Sequence, residues 1–333
     1  MRHDFQGKLK KTIRAPVYFQ GVGEKKRMIT SFDQVIAEVQ TRKTTTIAVA
    51  GAEDPPVLQA VTEARSRGIC EAVLVGKGPA IEAGLKALDC RSGDYQIVHV
   101  EDGDQAVAET TVALVLEGSA GSIMKGFMDT STLLKAVLAE KRLKTEGYMT
   151  VFGIVESPYY KKLLFLADSG FIIRPTLEQK VDIIRSGTGL VKKLGVELPK
   201  IAVVCAVEKV NEKMPETLEA AELARMNREG KITGCIVEGP FGFDNAVSAE
   251  AAAHKGIKGV VPGDADILLF PDLVAANSVY KTFGFLSSAK TAGFLAGAKV
   301  PIIITSRSDS VDTKLNSLAI TAFYASSFSS LTS

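Results

Sequence analysis

From Thr44 onward, short apolar runs alternate with stretches of roughly a dozen residues whose apolar positions recur at helical spacing, the pattern of parallel α/β units. Residues 47–50, 72–75, 96–100 and 122–124 read as strands, each followed by a helix, the last of these over 132–138. A second series begins near Tyr148, with strands expected at 150–155, 163–167, 201–206, 235–238, 266–270 and 301–305. Helix starts are marked locally. Thr30 or Ser31 can cap a helix whose apolar face is Phe32, Val35, Ile36 and Val39. Asp54-Pro55 supplies a cap and first turn for a helix that buries Val57, Leu58 and Val61. Thr176 and Gln179 have capping-box spacing and open a long helix ending at Gly195. A final helix covers about 314–324, before a Ser-rich tail.

The 333 residues suffice for two domains of ~100–200 residues each. Two α/β halves meeting near residue 148 predict a cleft, and ligands of such sheets sit where strand carboxyl ends meet helix N-termini. Forty basic and 38 acidic residues leave a formal charge of +2, which gives no bulk field for holding a nucleic acid. No apolar run approaches the ~18 residues of a membrane span and no secretory leader is visible, so a soluble, cytoplasmic chain with no membrane partner is expected. Cys70, Cys90, Cys205 and Cys235 are far apart and form no CxxC pair, as expected of buried or bystander thiols. Residues 1–27 are basic and aperiodic, and read as a leader or extension that carries no chemistry.

Familiar signatures are missing from the sequence. There is no GxxxxGK[ST] loop, and Gly187-Thr188-Gly189 has Lys192 where a third glycine belongs and sits within a helix. His3, His99 and His254 are isolated; His99, in a strand, reads as structural, and no metal-ligand spacing occurs. Polar segments that follow strands are more informative. In Thr305-Ser306-Arg307-Ser308-Asp309-Ser310, a guanidinium, several hydroxyls and the N–H groups of a helix start make a ready anion seat at a strand's carboxyl end, although the segment by itself also reads as a capping turn with a solvated Arg307. After the strand at 122–124, Lys125, the hydroxyls of Thr130 and Ser131, and Lys135 one turn into the helix can grip a phosphate; a plain capped helix with surface lysines reads equally well. The charged loop over 207–215 reads as solvated. Pro271-Asp272, with Asn277 and Lys281 beyond, is either part of a site or a helix cap at Asp272.

Several of these runs occur together, in order, in one family. Ala265-Asp266-Ile267-Leu268-Leu269-Phe270-Pro271-Asp272-Leu273, Asn277-x-x-Tyr280-Lys281, and Ser306-Arg307 with Asn316 and Ala319-Ile320 downstream resemble the phosphate acyltransferases, the group containing phosphate acetyltransferase and phosphate butyryltransferase. The resemblance spans about 28–324 and includes Ala52-Glu53-Asp54, Val75-Gly76-Lys77, Met124-Lys125-Gly126, Ala206-Val207-Glu208, Met214-Pro215-x-Thr217 and Gly239-Pro240 with Asp244. Around 305–317 the chain is more similar to the butyryl branch, the acetyl branch reading Ser-Arg-Gly-Cys-Ser there.

The resemblance implies an α/β fold of two domains with an interdomain cleft, like isocitrate and isopropylmalate dehydrogenases. Residues 28–148 plus 306–333 would form the first domain and 149–305 the second, the last helix returning to the first. It implies reversible transfer of a short acyl group, butyryl by branch, between coenzyme A and inorganic phosphate. Coenzyme A is then a substrate, with no tightly bound cofactor and no metal, in a homo-oligomer. The family's Ser-Arg pair on the acyl phosphate falls on Ser306 and Arg307, and its serine and arginine five residues apart fall on Thr130 and Lys135. Its proposed catalytic aspartate falls on Thr313, which leaves Asp309 and Asp312 as the neighbours that can substitute. Ser131, Ser308, Lys125, Asn277 and Lys281 complete the expected binding set. Three alternatives are a phosphate acetyltransferase, a coenzyme A-binding protein without activity, and a metal- and nicotinamide-dependent decarboxylating dehydrogenase of the same fold. For the last, Asp264 and Asp266 are the nearest acidic pair, although Asp266, at a strand start, reads as structural.

Overall fold

Ser31 caps α1 (Phe32–Gln40), its hydroxyl accepting from the backbone N–H of Gln34 at 3.3 Å, and Phe32, Val35, Ile36 and Val39 are all buried. Pro55 opens α2 (Pro55–Ser66), its ring presetting φ for the first turn. β1 (Thr45–Ala50) buries Ile47, Ala48, Val49 and Ala50 without alternation, as a strand covered on both faces must. It pairs in parallel with β2 (Cys70–Gly76) and β4 (Ser122–Lys125), and β3 (Gln96–His99) pairs in parallel with β2. Crossovers through α3 (Gly78–Ala87) and α4 (Gly103–Leu116) connect them, and α5 (Thr130–Ala139) leaves β4. The computed structural model describes residues 28–325, so the readings for 1–27 and for the Ser-rich tail lie outside the described residues.

The second series is β5 (Thr150–Glu156), β6 (Leu164–Ala167), α6 (Leu177–Lys193), β7 (Lys200–Val204), α7 (Pro215–Arg228) and β8 (Ile236–Phe241). It continues with α8 (Phe243–Val247), α9 (Ala249–His254), β9 (Ile267–Leu269), α10 (Leu273–Leu286), β10 (Lys290–Ala296), β11 (Ile302–Ile303) and α11 (Val311–Ala325). The capping box at Thr176 and Gln179 is present. Among the described residues, 11 strands form a single sheet in the order β3-β2-β1-β4-β11-β10-β5-β6-β9-β7-β8. β10 is antiparallel to both β11 and β5, and β5 to β6. Two parallel arrays, β3-β2-β1-β4-β11 and β6-β9-β7-β8, therefore run in opposite directions and meet at a β10–β5 seam.

The sequence pattern does not anticipate β10. Its Lys290–Ala296 run has Thr291 as its one β-branched residue and a glycine at its centre, and it leads into a hairpin rather than a crossover helix. β11 is shorter than expected; Pro301 has no N–H for the ladder. The division at 305/306 leaves β11 with the second half, whereas it pairs with β4 of the first. α11 is buried from Thr313 to Tyr324. Its polar side chains bind the seam: Ser317 Oγ accepts from Gly293 N–H at 2.9 Å, and Asn316 Nδ2 donates to the Thr291 carbonyl at 3.3 Å. Among the described residues no helix is long and apolar enough to cross a membrane. Cys70, Cys205 and Cys235 are buried and Cys90 is partly exposed, all as free thiols.

Candidate active site

A cavity of about 330 Å³ opens on the sheet face over the seam. Its floor is Val151 and Gly153 of β5, Gly293 of β10 and Ile304 just beyond β11. Its walls come from the carboxyl ends of strands in both arrays: Thr130 after β4, Ser169 and Gly170 after β6, and Thr305, Ser306 and Asp309 after β11. Asn277, Tyr280 and Lys281 of α10 close it from the second half. Opposed arrays put strand ends from both halves around one space, where such sheets bind ligands.

The loop after β11 is held from several sides. Asp309 receives the Lys281 ammonium at 2.8 Å on one carboxylate oxygen and the Ser306 N–H at 2.8 Å on the other. From beneath, Lys314 donates to the Asp309 carbonyl at 2.5 Å and to the Ser306 carbonyl at 3.4 Å. Lys314 is only 1% exposed, a buried charge tolerated because carbonyls and a carboxylate surround it. Ser310 accepts from the Thr313 N–H at 3.1 Å, and the Thr313 hydroxyl lies 2.9 Å from that of Thr291. Thr313 is therefore a packed bridge between α11 and β10.

The loop after β4 approaches from the other side. Gly126 is needed there, because a Cβ would lie 2.2 Å from the Gly51 carbonyl oxygen. Lys125 is buried, its ammonium donating to the carbonyls of Gly126 at 3.1 Å and Met128 at 3.3 Å. Burial lowers its pKa, and the charges of Arg307 and Lys314 lower it further. Burial likewise lowers the pKa of Lys314. Arg307 lies at the mouth, 3.2 Å from Asp129 and stacked 4.7 Å above the Phe127 ring. Asp129 sits at the N-cap of α5 but makes no side-chain capping bond; the Thr132 N–H donates to its carbonyl at 3.1 Å, and those of Thr130 and Ser131 are left uncapped.

Of the residues expected from sequence, Thr130, Asn277, Lys281, Ser306 and Asp309 share the cavity wall. Arg307 is at its rim, and Ser308 is exposed with its hydroxyl 3.0 Å from that of Ser306. Lys125 lies behind the wall as a brace. Ser131, Lys135 and Asp312 are exposed and lie outside the lining, so one helical turn from Thr130 carries Lys135 away from the space rather than into it. Asp272 caps α10, accepting from the Ala275 N–H at 2.9 Å. The His99 Nδ1 accepts from the Gly78 N–H at 2.9 Å, a structural role. Asp266 accepts from the Lys200 N–H and pairs with Lys162 at 2.7 Å, and Asp264 pairs with Lys161, Lys162 and Lys200. That pair is neutralised by lysines. Among the described residues no group of three or more His, Cys, Asp or Glu could hold a metal ion.

Sequence reasoning missed Ser169, Gly153, Gly293 and Lys314. Ser169 carries no motif; its carbonyl reaches the site because Asn277 donates to it at 2.9 Å across the sheet. The role of Lys314 beneath the loop is shown only by the packing of α11.

The chain is similar to several known proteins. The family model described as phosphate acetyl/butaryl transferase matches residues 31–114 and 104–322. A phosphate butyryltransferase of Clostridium acetobutylicum is 41% identical over 299 residues, covering 90% of this chain and 99% of that protein. A phosphate acetyltransferase of Thermotoga maritima is 42% identical over 295 residues, covering 88% and 100%. The crystal structure of a branched-chain phosphotransacylase from Enterococcus faecalis superposes with a TM-score of 0.74 at 31% identity, covering 85% of this chain and 99% of that one.

Proposed function

The chain belongs to the phosphate acetyl/butaryl transferase family and is a phosphate acyltransferase, and from that premise we propose that it moves a butyryl group reversibly between coenzyme A and inorganic phosphate in the cavity over the seam. One observation carries the placement. Lys125, Lys281, Arg307 and Lys314 crowd around Ser306 with Asp54, Asp129 and Asp309 as the carboxylates among them, beside a floor that is apolar. Their mutual repulsion is what a phosphate dianion would relieve.

In this reading the phosphoryl group sits between Ser306, the hydroxyl of Thr130 and the open first turn of α5, with Lys281 beside it. Arg307, held at the rim by an exposed ion pair worth about 0–1 kcal/mol, is readily drawn onto the anion. Coenzyme A's thiol, with a pKa near ~8.5, costs roughly 2 kcal/mol to ionise at neutral pH. Asp309, the carboxylate on the wall, takes that proton. The thiolate attacks the acyl carbonyl directly in a ternary complex, and the oxyanion that develops is stabilised by Arg307 and backbone N–H groups. Phosphate then leaves with the bonding pair. No acyl-enzyme is needed. Butyryl is favoured by the 305–317 segment, and the family's cofactor-free use of coenzyme A as substrate is carried over with it.

The division into an isocitrate and isopropylmalate dehydrogenase-like pair of domains is part of this proposal, the seam marking the cleft. So are a cytoplasmic location and a homo-oligomer; exposed Val274, Phe285 and Leu286 on α10 support subunit contact. The test is phosphate-dependent thiol release from acetyl-, propionyl-, butyryl- and hexanoyl-CoA. The highest kcat/KM is expected for butyryl-CoA. A maximum at acetyl-CoA would overturn the chain-length assignment, and no phosphate-dependent release at any length would overturn the reaction.

A further inference from the structure

Gly153 and Gly293 are direct partners across the antiparallel seam, so their missing side chains face the same side of the sheet. That side is the cavity floor. The Tyr280 ring lies so close over Gly153 that a Cβ there would stand 2.4 Å from its Cδ2 atom. At Gly293 a Cβ would stand 2.5 Å from the Ile304 carbonyl oxygen. Both positions are therefore confined to glycine by close approach rather than by backbone angle. Tyr280 is fixed from α10, is 8% exposed and is followed by Lys281, whose ammonium holds Asp309. Its buried hydroxyl makes no close hydrogen bond, although Thr291 and Asp309 lie beside it, and the ring packed over Gly153 sets its place.

We propose that Gly153, Gly293 and Tyr280 together gauge the acyl chain, the glycine pair letting the tyrosine ring and the Ile304 carbonyl close down on the floor beside the phosphate seat and the ring forming the end wall. The inference rests on the placement of acyl transfer in this cavity. Close-packed walls discriminate by volume, and one methylene changes selectivity by roughly 10–200-fold. Gly153→Ala adds a methyl to the floor and displaces the ring, which shortens the space. Tyr280→Leu removes most of the wall and lengthens it.

The experiment measures kcat/KM for acetyl-, butyryl- and hexanoyl-CoA with phosphate in Gly153→Ala, Tyr280→Leu, Tyr280→Phe and Ser306→Ala. The butyryl-to-acetyl ratio should fall by about 10-fold or more in Gly153→Ala, and the hexanoyl-to-butyryl ratio should rise by about 10-fold or more in Tyr280→Leu. Tyr280→Phe keeps the ring and should keep both ratios. If Gly153→Ala does not fold, Tyr280→Leu alone decides. Ratios unchanged in Tyr280→Leu, or shifted as far in Tyr280→Phe, overturn the gauge. Ser306→Ala separates the two ideas: if it lowers every chain length alike while the Tyr280 ratios stay fixed, the site stands and the gauge falls. If it lowers none, the placement of the site falls.

Discussion

The Lys281 ammonium lies 2.8 Å from Asp309 Oδ1, joining α10 of one array to the loop that leaves β11 in the other. The Asp309 side chain is 7% exposed, so little water competes with this contact. The other carboxylate oxygen holds the Ser306 N–H, and the carboxylate shapes the seat as well as facing it.

Asp309→Asn is therefore expected to lower kcat by about 10–100-fold and to destabilise the fold by about 1–3 kcal/mol, since a buried charged hydrogen bond is lost. Asp312→Asn, on the exposed first turn of α11, should leave both within about twofold. Steady-state rates and urea unfolding of the two variants decide, and equal damage from both would refute the ranking.

Arg307→Ala should reduce turnover by ~100-fold or more, the scale of losing one oxyanion donor. Lys at this position restores charge but not the planar fork, so recovery should be partial. Rates measured at saturating butyryl-CoA and phosphate test this, and an unimpaired alanine variant would remove Arg307 from the chemistry.

Lys125 and Lys314 titrate below the ordinary lysine value of 10.5, first because burial disfavours their charge; Arg307 and Lys314 lower Lys125 further, while Asp309 and Asp54 partly offset the shift at Lys314. Bound phosphate favours the charged forms and raises both pKa values, so binding takes up protons between the lowered and the raised values. Phosphate affinity should accordingly fall as pH climbs through that window, before ordinary lysines would lose charge. Calorimetry across an alkaline pH series, in buffers of different ionisation enthalpy, reads both the affinity and the proton uptake. Affinity that holds constant up to the ordinary lysine range contradicts the electrostatic account.

Asp168 is 1% exposed, and its carboxylate accepts from the Thr150 hydroxyl and the N–H groups of Val151, Gly170 and Phe171. Asp168→Asn replaces one acceptor with a donor facing donors, which should cost about 2–3 kcal/mol. Because Ser169 and Gly170 form the cavity wall, KM should rise as well. A thermal melt and a KM both unchanged would show that the wall does not depend on this carboxylate.

Much of the fold is legible in the residues because parallel α/β units declare themselves. Buried strands such as β1 are continuous apolar runs, and α1, α2 and α6 carry their caps and prolines in the sequence. The loop at 305–310 and the start of α5 are legible for the same reason, as polar segments at strand ends. What is not legible depends on strand order. Nothing near Gly293 shows that β10 lies at the centre of the sheet, or that Gly153 is its partner. Ser169 becomes a wall residue only when β6 and α10 pack together. Lys135 shows the converse: helical spacing from Thr130 is correct, but which face is exposed is settled by packing.

The seam also bears on how the molecule is made. Arg307 and Asp129 meet across 178 residues of chain, and Asn277 reaches Ser169 across 108. Contacts so distant in sequence form late in folding, after most of the loop-closure entropy has been lost. A half-finished molecule has neither the cationic cluster nor the glycine floor. Phosphate and coenzyme A, bound by the completed site, are thus expected to stabilise the finished molecule against unfolding.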